Sequence, residues 1–482
     1  METLKSIKNN FIYNTLNKVF NILFPLITFP YVARILTVDG IGKIDFSMSV
    51  IQYFILLSQV GIPIYGIREC AKYRDDKEKL AKTVQEILVV NLIMILVSYI
   101  LFMVSILSID KFQDYKSLLI LMSFLILTTN IGFEWFYQAI EEYRYITIIN
   151  IFVKIVTLIL VFTMIRTDSD YFIYSLITVL SISLGHIYNF FYINKHIKLF
   201  KIHKNYNLKR HMKPIMFLFF MSLSVSIYVN LDSIMLGFMS GDESVGLYVA
   251  ANKMIKVVLA LVTSLGMVLL PRMSYYIENN KINEINLLTR KSIDFTLMVS
   301  IPATFGIIML SKAIIMLFAG EDFLEAIITI RILSPIIVFI AISNLVGIQI
   351  LVSHGREKIT LISTIVGAMV NFSLNIILIP KFHQNGAALG SLIAEVSVTL
   401  IQLFFAFSYI RSNINFKNIF IYLIGGILIT ITCVGIGTFN FGLIINTLLS
   451  VFSSVIIYFG YLYLLKNDLL FDFISKMPRK IN

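Results

Sequence analysis

Lys253 and Lys256 lie one helical turn apart within residues 247–272, a run otherwise apolar enough to cross a bilayer. A charged side chain at that depth is costly unless it faces a wet cavity or a partner, so the pair marks a path or site for an anion. Other polar residues recur at helical spacing elsewhere. Asn14, Lys18, Asn21 and Thr28 collect on one face of one segment, and Asp45, Ser49, Gln52 and Gln59 do so on the next. Ser222, Ser226, Asn230 and Ser233 form a third stripe with Asp232 beside it, and Asn252, Lys256 and Thr263 a fourth, flanked by Lys253. Single Ser, Thr, Asn and Gln residues also act as glue between helices. Four stripes that carry Asp45, Asp232, Lys253 and Lys256 favour a shared hydrated cavity.

The elements that must position these stripes follow from composition. Of 482 residues, 58% are hydrophobic and only 14% charged, and the mean hydropathy is +0.85. That is an integral membrane protein. Strict alternation is absent, which favours helices over a barrel. Apolar stretches predict spans at about 10–36, 44–66, 83–107, 117–141, 146–166, 172–194 and 214–238, then at about 247–272, 292–318, 326–352, 359–379, 386–410, 418–438 and 443–465. The fold class expected is all-α, with about fourteen transmembrane helices.

Basic residues orient the layout. With the N-terminus inside, one set of loops and tails holds roughly 28 Lys and Arg and the opposite set roughly 6, so both termini are expected in the cytoplasm. The formal charge of +12 is then mostly topology. It calls for no nucleic-acid partner, although the basic stretch 195–213 could touch anionic lipid. Stripes open both halves of the chain, and Ile41-Gly42 echoes Val245-Gly246. This predicts two six-helix lobes related by a pseudo-two-fold along the membrane normal. The lobes are placed at 1–194 and 214–410, joined by a cytoplasmic basic linker at 195–213, with helices thirteen and fourteen and a cytoplasmic tail at 411–482.

Remaining charges and motifs read more simply. Lys18 and Lys154 can snorkel to the nearer interface, and Arg34 and Arg331 fall near the outer helix ends, where anchoring is common. Glu134 is placed to pair with Lys154. Glu395 falls near the middle of its span, where a carboxylate suits a proton or cation site. Asp168-Ser169-Asp170 resembles a metal-nucleotide motif but fits a solvated turn better. His186 reads as a packing contact rather than a proton relay, and the other His residues fall in loops without ligand spacing. Cys70 and Cys433 suggest neither a disulfide framework nor a metal site. No phosphate-binding Gly-rich loop occurs, so ATP is not expected to drive the protein directly, and no cofactor or metal is expected. The first apolar run is too long for a cleavable signal peptide.

Several stretches carry a family resemblance. Residues 24–36 (FPLITFPYVARIL), closed by Gly40-Ile41-Gly42, resemble the opening of bacterial polysaccharide repeat-unit flippases, for O-antigen or capsule. Residues 66–69 (GIRE) look like the end of that family's second helix and residues 134–143 (EWFYQAIEEY) like its fourth. Asn371 and Asn375 before Leu378-Ile379-Pro380, then Gly386-Ala387-Ala388 and Ile393-Ala394-Glu395, are similar to its late helix pair.

The family belongs to the multidrug/oligosaccharidyl-lipid/polysaccharide exporter superfamily, so the resemblance implies two lobes around a cavity. It also implies a cargo, an oligosaccharide on undecaprenyl pyrophosphate, flipped across the bacterial cytoplasmic membrane, with membrane lipids, a polymerase and other assembly proteins as partners. Under that reading Lys253, Lys256, Arg34 and Arg68 are expected to meet the pyrophosphate, and Asn14, Lys18, Asn21, Gln52, Asn230 and Asn252 to line the cavity and meet sugar. Asp232 or Glu395 would couple transport to H+ or Na+, while Asp232 and Lys253 could equally form a structural pair. The rivals are a cation-coupled multidrug exporter, which should show an acidic cavity, and a membrane-embedded polymerase or glycosyltransferase, which needs a longer catalytic loop than the outer loops here, about ten residues at most.

Overall fold

A computed structural model describes residues 7–201, 205–439 and 441–471, and these form helices and no strand. Lys5, Lys204, Lys476, Arg479 and Lys480, counted among the inner basic residues, lie outside the described residues. The chain divides into two compact units, 1–246 and 247–482.

The first unit contains α1 (Ile7–Gln59), α2 (Ile62–Ala71), α3 (Lys77–Ser108), the short α4 (Asp110–Asp114), α5 (Lys116–Ile131), α6 (Glu134–Ala139), α7 (Tyr143–Met164), α8 (Tyr171–Tyr192) and α9 (Lys209–Met239). The helix α10 (Asp242–Glu278) starts in this unit and runs into the next. The second unit continues with α11 (Ile282–Phe318), α12 (Ala326–Leu333), α13 (Ile336–Asn344), a π-helical segment (Leu345–Val352), α14 (Glu357–Ile410), α15 (Phe416–Gly437) and α16 (Leu443–Leu464).

Two of these helices are hairpins rather than rods. Thr37 interrupts α1 with φ 62 and ψ 175. Asn10 and Arg74 both reach Glu141, at 3.3 and 2.7 Å, so the chain must reverse at Thr37. His383, at φ 50, interrupts α14, and Asn371 on one arm bonds Ser391 on the other at 3.2 Å. Among the described residues, eleven helices are long and apolar enough to cross a membrane. Two of them fold back in this way and α9 adds another, which gives the fourteen expected spans.

Three spans expected as continuous helices are broken. The second stops at Gln59, where Val60 and Gly61 take φ 45 and 77, before α2 resumes. The fourth breaks at Phe133, φ 46, between α5 and α6. The tenth breaks at Ser334-Pro335 and ends in the π segment. Proline and left-handed backbone each remove helical hydrogen bonds, and inside a membrane such gaps persist only where protein or a cavity covers them.

Apolar side chains face outward where lipid would be. On α7, Ile148, Phe152, Ile155 and Ile159 are exposed at helical spacing, the pattern of a lipid-facing stripe. One buried cluster of the first unit is rich in aromatics: Tyr65, Trp135, Phe136 and Tyr137 pack there with Ile197 and Leu199 of the linker. In the second unit α11, α15 and α16 share a core around Tyr422 and Tyr458, and the Tyr458 hydroxyl donates to Met298 O at 2.7 Å.

Candidate functional site

Within the first unit, two of the polar stripes meet. Ser233 Oγ on α9 donates to Asp45 Oδ2 on the second arm of α1 at 2.8 Å. Asp232 is buried beside that contact. On the same helix as Ser233, Asn230 is half-buried and bonds back to Ser226 O at 3.3 Å. Gln52 is half-buried one turn beyond Met48, with its amide 4.0 Å from the thioether sulfur.

The first arm of α1 packs on α7. Asn150 donates to Asn17 at 3.3 Å, and Lys154 donates to Asn21 while its ammonium lies over the Phe24 ring. Lys154 therefore turns to α1, whereas Glu134, expected as its partner, accepts from Gln138 at 3.4 Å. Asn14 is half-buried on this arm, and Lys18 and Asn21 are exposed.

The four cations expected at the pyrophosphate are spread along the chain. Arg34 is exposed just before the reversal at Thr37, its guanidinium bonded to Pro30 O at 2.8 Å. Arg68 is exposed near the end of α2 with its guanidinium 6.0 Å from the Tyr65 ring centre. Arg68 follows Arg34 by 34 positions, about 30 of them beyond the reversal at Thr37, roughly 45 Å at 1.5 Å per residue, so the two lie at opposite ends of the first unit. On α10, Lys253 and Asn252 are half-buried and Lys256 is exposed.

Glu395 is buried on the second arm of α14, one turn beyond Ser391. Ser391 belongs to a buried polar line within the second unit: Asn375 donates to Asn371 at 3.3 Å, Asn371 to Ser391 at 3.2 Å, and the Tyr248 hydroxyl lies 3.4 Å from Ser391 Oγ. A Cβ at Gly390 would stand 2.3 Å from Asn375 Oδ1, so glycine there lets the two arms close on this line.

The most connected polar group was not anticipated. Glu86 is fully buried at the start of the apolar part of α3. Its Oε2 accepts from Arg210 at 2.5 Å and from His211 Nε2 at 2.8 Å, and its Oε1 accepts from the Asn207 backbone at 2.8 Å. Next to it Gln85 donates to the carbonyls of Leu199 and Lys201, at 2.6 and 2.8 Å. The basic linker is thus fastened onto α3. His211, read as a loop residue, is fully buried. A carboxylate at the edge of an apolar run, with a His-Arg pair elsewhere in the chain, was the available signal. At the start of α3, outside the apolar stretch, Asp76 Oδ1 accepts from Lys79 N at 3.0 Å, and that bond holds its carboxyl below the usual carboxylate range.

The acidic motif at 168–170 is a helix cap. Asp170 Oδ2 accepts from the backbones of Arg166 and Thr167, each at 2.8 Å. Among the described residues no group of three or more His, Cys, Asp or Glu side chains could hold a metal, and Cys70 and Cys433 are both free and buried.

Long apolar helices, interrupted spans and buried polar lines define an all-helical, multi-pass membrane protein. The family described as "Polysaccharide biosynthesis protein" matches residues 7–277, and the chain belongs to it. The MatE family also matches, at residues 214–377. A protein of Escherichia coli (strain K12) named as an O-antigen transporter is 27% identical over 418 residues, covering 85% of this chain and 97% of that one. A solved structure of the lipid II flippase MurJ, in an inward closed conformation, matches with a TM-score of 0.74 at 16% identity, covering 96% of this chain and 99% of that one. An inward-facing multidrug resistance transporter of the MATE family and MOP superfamily matches at 0.64 and 12% identity, over 84% and 98% of the two chains. These structures establish the fold. The relative and the two solved structures are named as transporters or a flippase.

Proposed function

We propose that the protein is a flippase for lipid-linked polysaccharide, moving an oligosaccharide repeat unit on undecaprenyl pyrophosphate from the inner to the outer leaflet of a bacterial cytoplasmic membrane. The observation that carries this reading is the match to the O-antigen transporter over nearly the whole length of that relative. The distribution of basic loop residues supports cytoplasmic termini.

In this reading the lobes at 1–194 and 214–410 rock between inward- and outward-open states. A pyrophosphate must cross a low-dielectric layer, and fixed cations beside water lower that barrier while the polyprenyl tail stays in lipid. Arg68 and Arg34, at opposite ends of the bundle, cannot hold one headgroup together, so they serve the two ends of the path. Lys253 and Lys256 on α10 supply further cations for the headgroup. Asn14, Lys18, Asn21, Gln52, Asn230 and Asn252 supply polar groups for sugar hydroxyls. Asp232 and Glu395, both buried carboxylates, are the positions where H+ or Na+ would drive resetting.

The test is depletion of the protein in its host, followed by leaflet-resolved labelling of lipid-linked repeat units. The units are expected to accumulate on the cytoplasmic face. Undiminished arrival at the outer face in depleted cells would overturn the assignment.

A further inference from the structure

Inside the first unit, Gln59, Asn91, Asn130, Glu134, Gln138 and His186 line one cavity of about 320 Å³. Two helices break at its wall, α1 just after Gln59 and α5 just before Glu134. Broken helices at membrane depth are tolerated where they line a cavity, and their loosened backbone is a recurrent device for holding ions.

The polar groups of this cavity are only partly satisfied by one another. Asn91 donates to Asn130 at 2.8 Å, and Asn130 to Ser58 Oγ at 2.6 Å, which fixes both amides. His186 Nδ1 is buried with no hydrogen-bond partner among the described residues. It packs where a Cβ on Gly132 would stand 2.1 Å away. Glu134 has the long contact to Gln138, and no described basic side chain forms an ion pair with it. Of the charged and titratable side chains on nearby stretches of the unit, Tyr65 bonds His211, Glu69 bonds Lys72, Glu86 bonds Arg210 and His211, Lys154 bonds Asn21, and the Arg68 guanidinium lies over the Tyr65 ring.

A half-buried carboxylate that lines a cavity within an apolar span and has no basic partner is strongly drawn to take up a positive charge. We propose that this cavity binds a small monovalent cation, a proton or Na+, at the Glu134 carboxylate, with the amide oxygens of Gln59 and Gln138 as neutral ligands and His186 as the second proton-accepting group. Oxygen donors of this kind suit a hard cation. The site requires no assumption about the cargo.

Thermal unfolding of the purified full-length protein in detergent tests it. Wild-type protein is followed in NaCl against choline chloride, at mildly alkaline and mildly acidic pH, beside Glu134→Gln, His186→Gln and the exposed control Glu243→Gln. Binding of an ion to the folded state raises Tm with concentration. Stabilisation by NaCl over choline that Glu134→Gln weakens ~10-fold or more in apparent affinity identifies Na+. Stabilisation on acidification alone, absent in Glu134→Gln, identifies the proton. Should Glu134→Gln not fold, His186→Gln must weaken the same response. A response that survives in the Glu134 and His186 variants, or a wild type indifferent to both ions, overturns the site.

Discussion

Glu86 and His211 meet at 2.8 Å with both side chains fully buried, and the Tyr65 hydroxyl closes the other side of the imidazole at 2.6 Å. The start of α9 is thereby tied to both α3 and α2. A linker that sequence alone marks only as basic is held by a specific buried carboxylate. Removing one partner of such a cluster leaves the others buried without compensation.

Glu86→Gln is therefore expected to destabilise the first unit by about 3 kcal/mol, with faster proteolysis of the linker at 195–208. Circular dichroism melts and limited trypsinolysis of the purified protein measure both effects. Wild-type cleavage rates in the variant would show that the linker is held by something else.

The close approach of α2 to α6 yields a second expectation. A Cβ at Gly66 would lie 2.3 Å from Trp135 Cε3, and Trp135 is buried. Gly66→Ala should cost about 1–3 kcal/mol through overpacking, and Gly66→Val should abolish accumulation in the membrane. A Gly66→Ala protein that melts with the wild type would mean that the indole moves aside freely.

Charge at α10 provides a third. Lys256→Glu should eliminate complementation of a flippase-deficient strain, and Lys256→Arg should retain most of it, because a fixed cation is the required property. Normal surface polysaccharide with Lys256→Glu, at equal protein levels, would remove Lys256 from the anion path.

The fourth concerns two glycines. A Cβ at Gly42 would lie 1.9 Å from Asp242 O, and one at Gly246 would lie 2.1 Å from Val38 O. Each helical hairpin therefore presses backbone against backbone at the reversal. Gly42→Ala and Gly246→Ala should each lower Tm and together should be non-additive, since they sit in one contact. Strict additivity in a double-mutant cycle would separate the two positions.

The spans were legible because twenty apolar residues in a row have few alternatives in a chain of this composition. The breaks at Val60 and Phe133 were not, since nothing in local hydropathy distinguishes a broken buried helix from a whole one. Motif residues became intelligible as contacts: Gly66 of the GIRE stretch faces Trp135 of the EWFYQ stretch, and the Ile41-Gly42 and Val245-Gly246 echo consists of the two facing glycine turns. The pairing of Glu134 with Lys154 failed because proximity along adjacent helices does not say which way a long side chain turns. His211 and Glu86 are 125 positions apart, a separation that no spacing rule reaches.

The glycine contact at the start of α10 also sets how far a substitution there would reach. Gly246 precedes Lys253 and Lys256 by roughly 10 to 15 Å along the axis, and while Gly42 meets only the Asp242 backbone, Gly246 meets both the carbonyl and the Cγ1 of Val38. A helix is stiff over that length, so a side chain forced in at either glycine would displace both ammonium groups without touching them.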